Sequence, residues 1–497
     1  MSALPAWCVV LPLLAVPLIV ALDRRPNARE AVSLLAGAAT FLGVVSLWPD
    51  VAAGARPAWQ FAEPLPGVRL ALVVEPLGLV LALVASFLWM VTTVYAIGYM
   101  RGHHEQHQTR FYAFFALSIA SAIGAAFAAN LVTLFVFYEA LTLATFPLVT
   151  HAGTAEARRG GRTYLGLLIA TSIGFLLFAI VWTWQLAGTT DFTPGGILAG
   201  KASGGLLLAL YALFLFGIGK AALMPFHRWL PAAMVAPTPV SALLHAVAVV
   251  KVGVFSVLKV TVYIFGIDLL AGSDAATLLG YVAGATMLLA SLVALRQDNL
   301  KRRLAYSTVS QLSYVVLGAT LATTWGVIGG GLHIVMHAFG KITLFFCAGA
   351  ILVAAHKTEV SQLDGIGRRM PWTLGAFAVG ALSMIGLPPA AGFVSKWYLM
   401  LGSLATEHYF AVAVLVASTL LNAAYFVPIV YAAFFRPERA AHDGHEGHGG
   451  HDGHAGHGEA PLPMVVALVF TATLTVLLFF YPDPALALVG QLVGKNP

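Results

Sequence analysis

The chain has 497 residues, 59% of them hydrophobic and only 10% charged, with a net charge of +6. So few polar residues cannot cover a soluble globule, and apolar runs of about 18 to 25 residues recur from end to end with short loops between them. The composition therefore specifies an all-α polytopic membrane protein, not a barrel, and its basic residues lie in loops, where they report orientation in the bilayer and not nucleic-acid binding.

The first span covers about residues 6–22 and is followed by Arg24, Arg25 and Arg29. A cleaved signal carries its charge ahead of the apolar run, so this is a permanent helix. The second span ends near Trp48, the third starts near Glu75, and a charged loop from Arg101 to Arg110 carries His103, His104 and His107. Further spans fall at about 111–129, 131–151, 164–186, 206–224 with a broken continuation, 240–265 and 275–295. The rest lie at about 304–322, 326–354, 372–401, 409–435 and 463–481, giving about fourteen transmembrane helices.

Alternate loops differ in charge. One set holds Arg24/Arg25/Arg29, Arg101/Arg110, Arg158/Arg159/Arg162, Arg296/Lys301/Arg302/Arg303, Lys357/Arg368/Arg369 and Arg436/Arg439. The other holds only Arg56, Arg69 and Lys201, with Lys495 in the C-terminal tail. The positive-inside rule then places both termini outside.

Two spans are interrupted, one by Pro225 and one by Gly386-Leu-Pro-Pro-Ala-Ala-Gly, with Lys220 and Lys396 beside the breaks. Interrupted helices at corresponding places in two halves point to an inverted-repeat transporter with its site near the midplane. The expected organisation is 1–98, three N-terminal helices; 99–266 and 267–435, the two repeats; 436–461, a His-rich cytosolic loop; and 462–497, a last helix and tail. In the loop His442, His445, His448, His451, His454 and His457 recur every third residue among Gly and acids, a composition that suits a solubilising tract, weak metal buffering or a surface proton antenna. Without fixed ligand spacing it specifies no metal site. Cys8 and Cys347 support neither a disulfide framework nor an iron–sulfur site, and no dinucleotide fingerprint or P-loop is present. No cofactor is expected on this chain, and its energy must come from elsewhere.

Intramembrane charges carry the chemistry. Glu139 and Lys220 lie at similar depth and are natural partners, either as a proton-coupled switch or as a static ion pair. With Lys251, Lys341 and Lys396 there are four buried lysines and few acids, an imbalance that suits proton release and uptake. Snorkelling is the alternative for any single one of these lysines and fits best for Lys259, nearer a helix end. His333, His337 and Lys341 fall at i, i+4 and i+8 on one helix face, which fits a proton relay. Haem ligation and ordinary hydrogen-bonded core histidines are the alternatives. His245 faces the same choice, and His227 stands where it could gate proton entry.

Several segments together resemble the antiporter-like subunits shared by respiratory complex I, membrane-bound hydrogenases and Mrp-type cation/proton antiporters. They are Val73-Val-Glu-Pro-Leu-Gly, Phe137-Tyr-Glu, Gly217-Ile-Gly-Lys-Ala, Pro225-Phe-His-Arg-Trp-Leu-Pro, Ala236-Pro-Thr-Pro-Val-Ser-Ala-Leu-Leu-His, Leu300-Lys-Arg-Arg-Leu-Ala-Tyr-Ser-Thr-Val-Ser-Gln and Gly386-Leu-Pro-Pro-Ala-Ala-Gly-Phe-Val-Ser-Lys. The resemblance covers nearly the whole chain. It implies a fourteen-helix fold with two inverted five-helix repeats and a central hydrophilic axis for protons. It also implies that Glu139 matches the family's glutamate on the fifth helix, Lys220 its partner on the broken seventh, and Lys251 the eighth-helix lysine. Lys341 matches the central lysine of the eleventh helix and Lys396 the ionisable group of the broken twelfth.

The Thr238-Pro-Val-Ser-Ala-Leu-Leu-His segment is similar to the largest complex I antiporter-like subunit or Mrp A, whereas the length is closer to Mrp D or the middle complex I subunit. The resemblance therefore implies an Mrp D-like proton-translocating subunit without redox chemistry of its own, in a bacterial inner membrane. Other membrane subunits would be its partners, and Na⁺ or K⁺ would be candidate ions beside protons. The membrane arm of a redox complex, or an energy-coupling subunit for inorganic-carbon uptake, is the alternative; the retained charges argue against a non-conducting scaffold.

Overall fold

The computed structural model describes residues 2–438 and 458–493. Arg439, the histidines from His442 to His457, and Lys495 lie outside the described residues. The fold is helical, and eleven of its helices among these residues are long and apolar enough to cross a membrane. The protein is a multi-pass membrane protein.

Helices α1 (Leu4–Ala21) and α2 (Pro26–Ser46) lead into a hairpin of β1 (Ala58–Leu65) and β2 (Val68–Val73), with Trp59 opposite Leu72. The hairpin lies in a stretch read from sequence only as a loop. Its alternation of residue types is short, and its stability is tertiary: Val73 N–H donates to Phe127 O at 2.7 Å and Ala129 N–H to Ala71 O at 3.0 Å, so β2 docks onto the link between two helices.

Those helices are α4 (Gln108–Ala126) and α5 (Leu131–Val149), preceded by α3 (Pro76–Gly102). Asn130 caps α5 by accepting from Thr133 N–H at 2.8 Å, while its amide donates to Arg69 O at 2.7 Å, which ties the hairpin to the helix start. α6 (Ala155–Ala187) follows, then α7 (Gly204–Gly217).

α8 (Thr238–Phe265) is wholly buried and contains two π-turns, at Leu243–Val247 and Thr261–Phe265. Each inserts an extra residue per turn and rotates the side chains beyond it. After α9 (Asp274–Arg296) and α10 (Leu300–Thr320) comes α11 (Thr324–Ala355), whose 32 residues pack against α8, α10 and the helices that follow. α12 (Pro371–Ile385) and α13 (Gly392–Ala405) are the halves of one interrupted helix, and α14 (Tyr409–Phe435), α15 (Leu462–Phe480) and α16 (Asp483–Gly490) complete the chain.

One loop group reports the protonation state of the folded chain. Just beyond α5, His151 donates from Nε2 to Gln106 O at 2.9 Å, and Arg110 reaches its carbonyl at 2.6 Å and its Nδ1 at 3.4 Å. Burial, then the Arg110 charge, push the imidazole down from 6.5 to about 4. The unfolded chain therefore binds the extra proton first, and stability complete above pH 6.5 declines as pH falls toward about 4. The thermal unfolding midpoint of detergent-purified protein should drop across that window, and His151→Gln should remove that share of the drop.

Candidate functional site

The site begins where α7 stops. The sequence places the break at Pro225, but the helix ends at Gly217, and Lys220 lies in a 3₁₀ turn, Gly219–Ala221, within the break. Tertiary partners account for the early stop by satisfying the freed backbone. Trp229 Nε1 donates to Gly219 O at 2.9 Å, and Lys220 N–H donates to the Tyr138 hydroxyl at 3.0 Å. α8 accommodates the turn at Gly253, where a Cβ would stand 2.4 Å from the Lys220 carbonyl carbon. Only a glycine permits that approach.

The Lys220 ammonium turns toward α5. It donates to Tyr138 O at 2.9 Å and Thr142 Oγ1 at 2.5 Å, and lies 3.2 Å from the centroid of the Tyr138 ring. Glu139, the expected direct partner, makes no hydrogen bond with either carboxylate oxygen, although its charge acts on Lys220 from the next position of α5. The two are coupled through space and not joined as a closed ion pair.

The second break is built alike. Lys396 on α13 donates to Met384 O at 2.8 Å and Ile385 O at 3.0 Å, the last carbonyls of α12, and to the Tyr314 hydroxyl at 3.2 Å. A cation at carbonyls left free by a helix C-terminus is favourably placed.

Between the breaks runs a connected polar row. Lys251 Nζ touches His337 Nδ1, and the His337 and His333 rings stack with centroids 5.8 Å apart. His333 is held at both nitrogens, Nδ1 by Ser395 Oγ at 2.8 Å and Nε2 by Gln311 Oε1 at 3.1 Å, which leaves neither for an iron. Gln311 in turn donates from Nε2 to Met384 O at 3.1 Å, the carbonyl that also receives Lys396. One carbonyl thus joins the row to the second break.

Lys341 follows His333 and His337 on α11, but its ammonium leaves that file for α10, donating to Ser307 Oγ at 2.7 Å and weakly to Leu304 O at 3.5 Å. His245 reaches the same turn through Nδ1 and Thr308 Oγ1 at 3.0 Å. His227 is set apart, half-buried with its ring 6.2 Å from that of Tyr306 and its Nδ1 unbonded.

Sequence reasoning missed the α10 side chains Ser307, Thr308, Gln311 and Tyr314. Their spacing puts them on one face of a buried helix, and four polar groups on one face of a span were the available signal. It also misread Lys259. That residue is fully buried, in contact with the carboxylate of Glu75 and donating to Ala128 O at 2.7 Å, so it does not snorkel. That end of α8 is enclosed by the α4–α5 link, by Phe192, and by Thr193 and Ile197, whose N–H groups donate to Tyr263 O and Ile264 O.

Residues 128–422 match the family model described as NADH:quinone oxidoreductase/Mrp antiporter, transmembrane. The chain belongs to this family. Among curated relatives, this family member is 34% identical over 442 residues to the N subunit of the NADH-quinone oxidoreductase of Desulforudis audaxviator, covering 87% of each chain. It is 29% identical to hydrogenase-4 component B of Escherichia coli, over 95% of this chain and 71% of that protein. It is 27% identical to the D component of the Na(+)/H(+) antiporter of Alkalihalophilus pseudofirmus, over 83% and 80%. Its fold matches a chain of the Mrp complex from Dietzia with a TM-score of 0.86 at 24% identity, covering 99% and 97%. By name the curated relatives are subunits or components of larger assemblies, and the matched structure is that of a complex.

The break in α7 yields a stability test of this family member. Tyr138→Phe keeps the ring against the Lys220 ammonium but leaves the Lys220 N–H unpaired, at a cost of about 1–3 kcal/mol. A lowered unfolding midpoint in detergent should register it.

Proposed function

We propose that this chain is the proton-translocating subunit of a multi-subunit Mrp-type cation/proton antiporter in a bacterial inner membrane, with both termini outside. Other membrane subunits complete the assembly, and Na⁺ or K⁺ is exchanged for protons. The observation that carries this reading is the row Lys251–His337–His333, continued through Gln311 and Met384 O to Lys396, across a buried interior.

Each member of the row has a distinct role. At the Lys251–His337 contact one nitrogen must donate and the other accept, so the two share a single proton site in either of two arrangements. Gln311 cannot carry a proton, but its Oε1 selects the His333 tautomer with hydrogen on Nε2, and its own amide is fixed by Met384 O. Nε2 of His337 and Nε2 of His245 have no protein partner, nor do the Glu139 oxygens, and buried polar atoms of this kind are ordinarily completed by water, the medium of a proton path. Because Lys251 and His337 are in contact, a proton on one opposes a proton on the other, and outside the row the charge of Glu139 acts on Lys220. We propose the inverted repeats 99–266 and 267–435 as the two linked half-channels, the α7 and α12–α13 breaks being their corresponding elements.

The 34% identity to the oxidoreductase N subunit favours a second reading, a proton-pumping membrane arm of a redox complex, over the inorganic-carbon alternative. Inverted vesicles holding the whole assembly separate them. The antiporter reading expects Na⁺ or K⁺ to dequench a pH-sensitive dye, and Lys220→Ala and Glu139→Ala to abolish the response while the complex still assembles. Acidification driven only by an electron donor would establish the redox reading instead. Gln311→Leu, which leaves the His333 tautomer free, should slow transport by about tenfold or more in either kind of complex without loss of assembly.

A further inference from the structure

The Glu75–Lys259 pair stands outside the row just described. Glu75 precedes α3 as its N-cap residue, and Pro76 opens the helix. Gly78 lets α3 close on the end of α4: a Cβ there would stand 2.4 Å from Ala126 O. That approach brings Glu75 to the carbonyls of Ala126 and Ala128, where the Lys259 ammonium is bound at 3.5 and 2.7 Å. The Phe192 ring covers it with its centroid 4.5 Å from the nitrogen. Both side chains are nearly sealed, Lys259 at 0% and Glu75 at 6% exposure.

This pair has a position that the other buried lysines lack. Lys259 lies eight residues beyond Lys251 on α8, about 12 Å along the axis, toward the hairpin and away from the arginine-rich loops. Beside it opens a cavity of ≈ 290 Å³ whose lining includes Trp59, Gln60, Arg69, Asn130, Asp191 and Phe192. Phe192 thus belongs both to the cavity wall and to the cover of the ammonium. Arg69 and Asp191 pair at 2.6 Å among the lining residues, and Tyr263, from the second π-turn of α8, lies beside Glu75.

We propose that Glu75 and Lys259 form the outward proton-exchange site of the first half-channel, with the hairpin cavity as its vestibule and Phe192 as the gate between them. The transferred species is a proton. It leaves the Lys259 ammonium for the Glu75 carboxylate, giving a neutral amine and a neutral acid, and the acid then releases it to water in the cavity. The amine is recharged from Lys251 along α8 through intervening water, so charge and protons balance over the cycle. The inference rests on the proton-conducting reading above.

The test uses the whole assembly reconstituted in vesicles, with transport followed by a pH-sensitive dye. Lys259→Arg retains a cation for Glu75 but does not give up its proton, so a purely structural pair would survive the change and a proton-exchange site would not. Lys259→Arg and Glu75→Gln should each slow transport by about tenfold or more, with Glu75→Gln altering the dependence on outer pH and leaving that on inner pH unchanged. Independently, Ala129→Cys, at the cavity wall, should be blocked by an impermeant thiol reagent added from outside, since Cys8 and Cys347 are buried. Transport by an assembled Lys259→Arg within about twofold of wild type overturns the inference. If that variant fails to assemble, transport undisturbed by modification of Ala129→Cys overturns it instead. Lys220→Ala run in parallel separates the two levels: if it also transports normally, the conducting reading falls, and if it alone is inactive, only this site does.

Discussion

Solvation of buried ammonium groups by backbone carbonyls is the interaction on which this structure depends. Lys220 binds Tyr138 O, Lys396 binds Met384 O and Ile385 O, Lys259 binds Ala128 O, and Lys341 approaches Leu304 O. An isolated ammonium in an apolar interior is costly by several kcal/mol, and of these four lysines Lys259 also has a carboxylate, Glu75, in contact to offset that cost. Carbonyls offset part of it without carrying a charge. A lysine held this way can exist charged or neutral, which is what a step in a proton path requires.

Helix ends supply some of those carbonyls, at the α12–α13 break and at the end of α4. A continuous helix bonds each carbonyl once internally, so Tyr138 O inside α5 can take Lys220 only beside that bond, whereas a carbonyl at a helix end is wholly free for a side chain. α12 ends at Ile385 and presents two of them to Lys396, and the end of α4 presents Ala126 O to Lys259. At α7 the logic runs the other way. The break frees the Lys220 N–H and the Gly219 carbonyl, Tyr138 and Trp229 satisfy them, and the side chain is thereby delivered to α5. Gly253 on α8 is the residue that makes room for this turn.

The row of Lys251, His337, His333, Gln311 and Lys396 crosses four helices, α8, α11, α10 and α13. Met384 O is its joint, receiving both the Gln311 amide and the Lys396 ammonium. A change in the charge of Lys396 is therefore felt at the tautomer of His333 through one hydrogen-bonded amide. The second break is thus hydrogen-bonded to the centre of the molecule, whereas the Lys220 turn meets α8 by backbone packing at Gly253.

The membrane class, the interrupted helices and the five principal charges were legible in the amino-acid sequence, because hydropathy, proline and an unshielded charge act locally and leave a mark at their own positions. The partners were not. The first π-turn of α8, Leu243–Val247, rotates Lys251 relative to His245 in a way that no regular helical period foretells, and Lys251 meets His337 while His245 meets Thr308. The same is true of the start of the α7 break, set by Tyr138 and Trp229 rather than Pro225, and of Lys259, whose enclosure depends on Glu75 more than 180 residues earlier. Sequence determines which side chains must be kept from lipid. Only the packing of distant helices decides which of them meet, since a buried polar group takes whatever donor or acceptor the tertiary fold brings within reach.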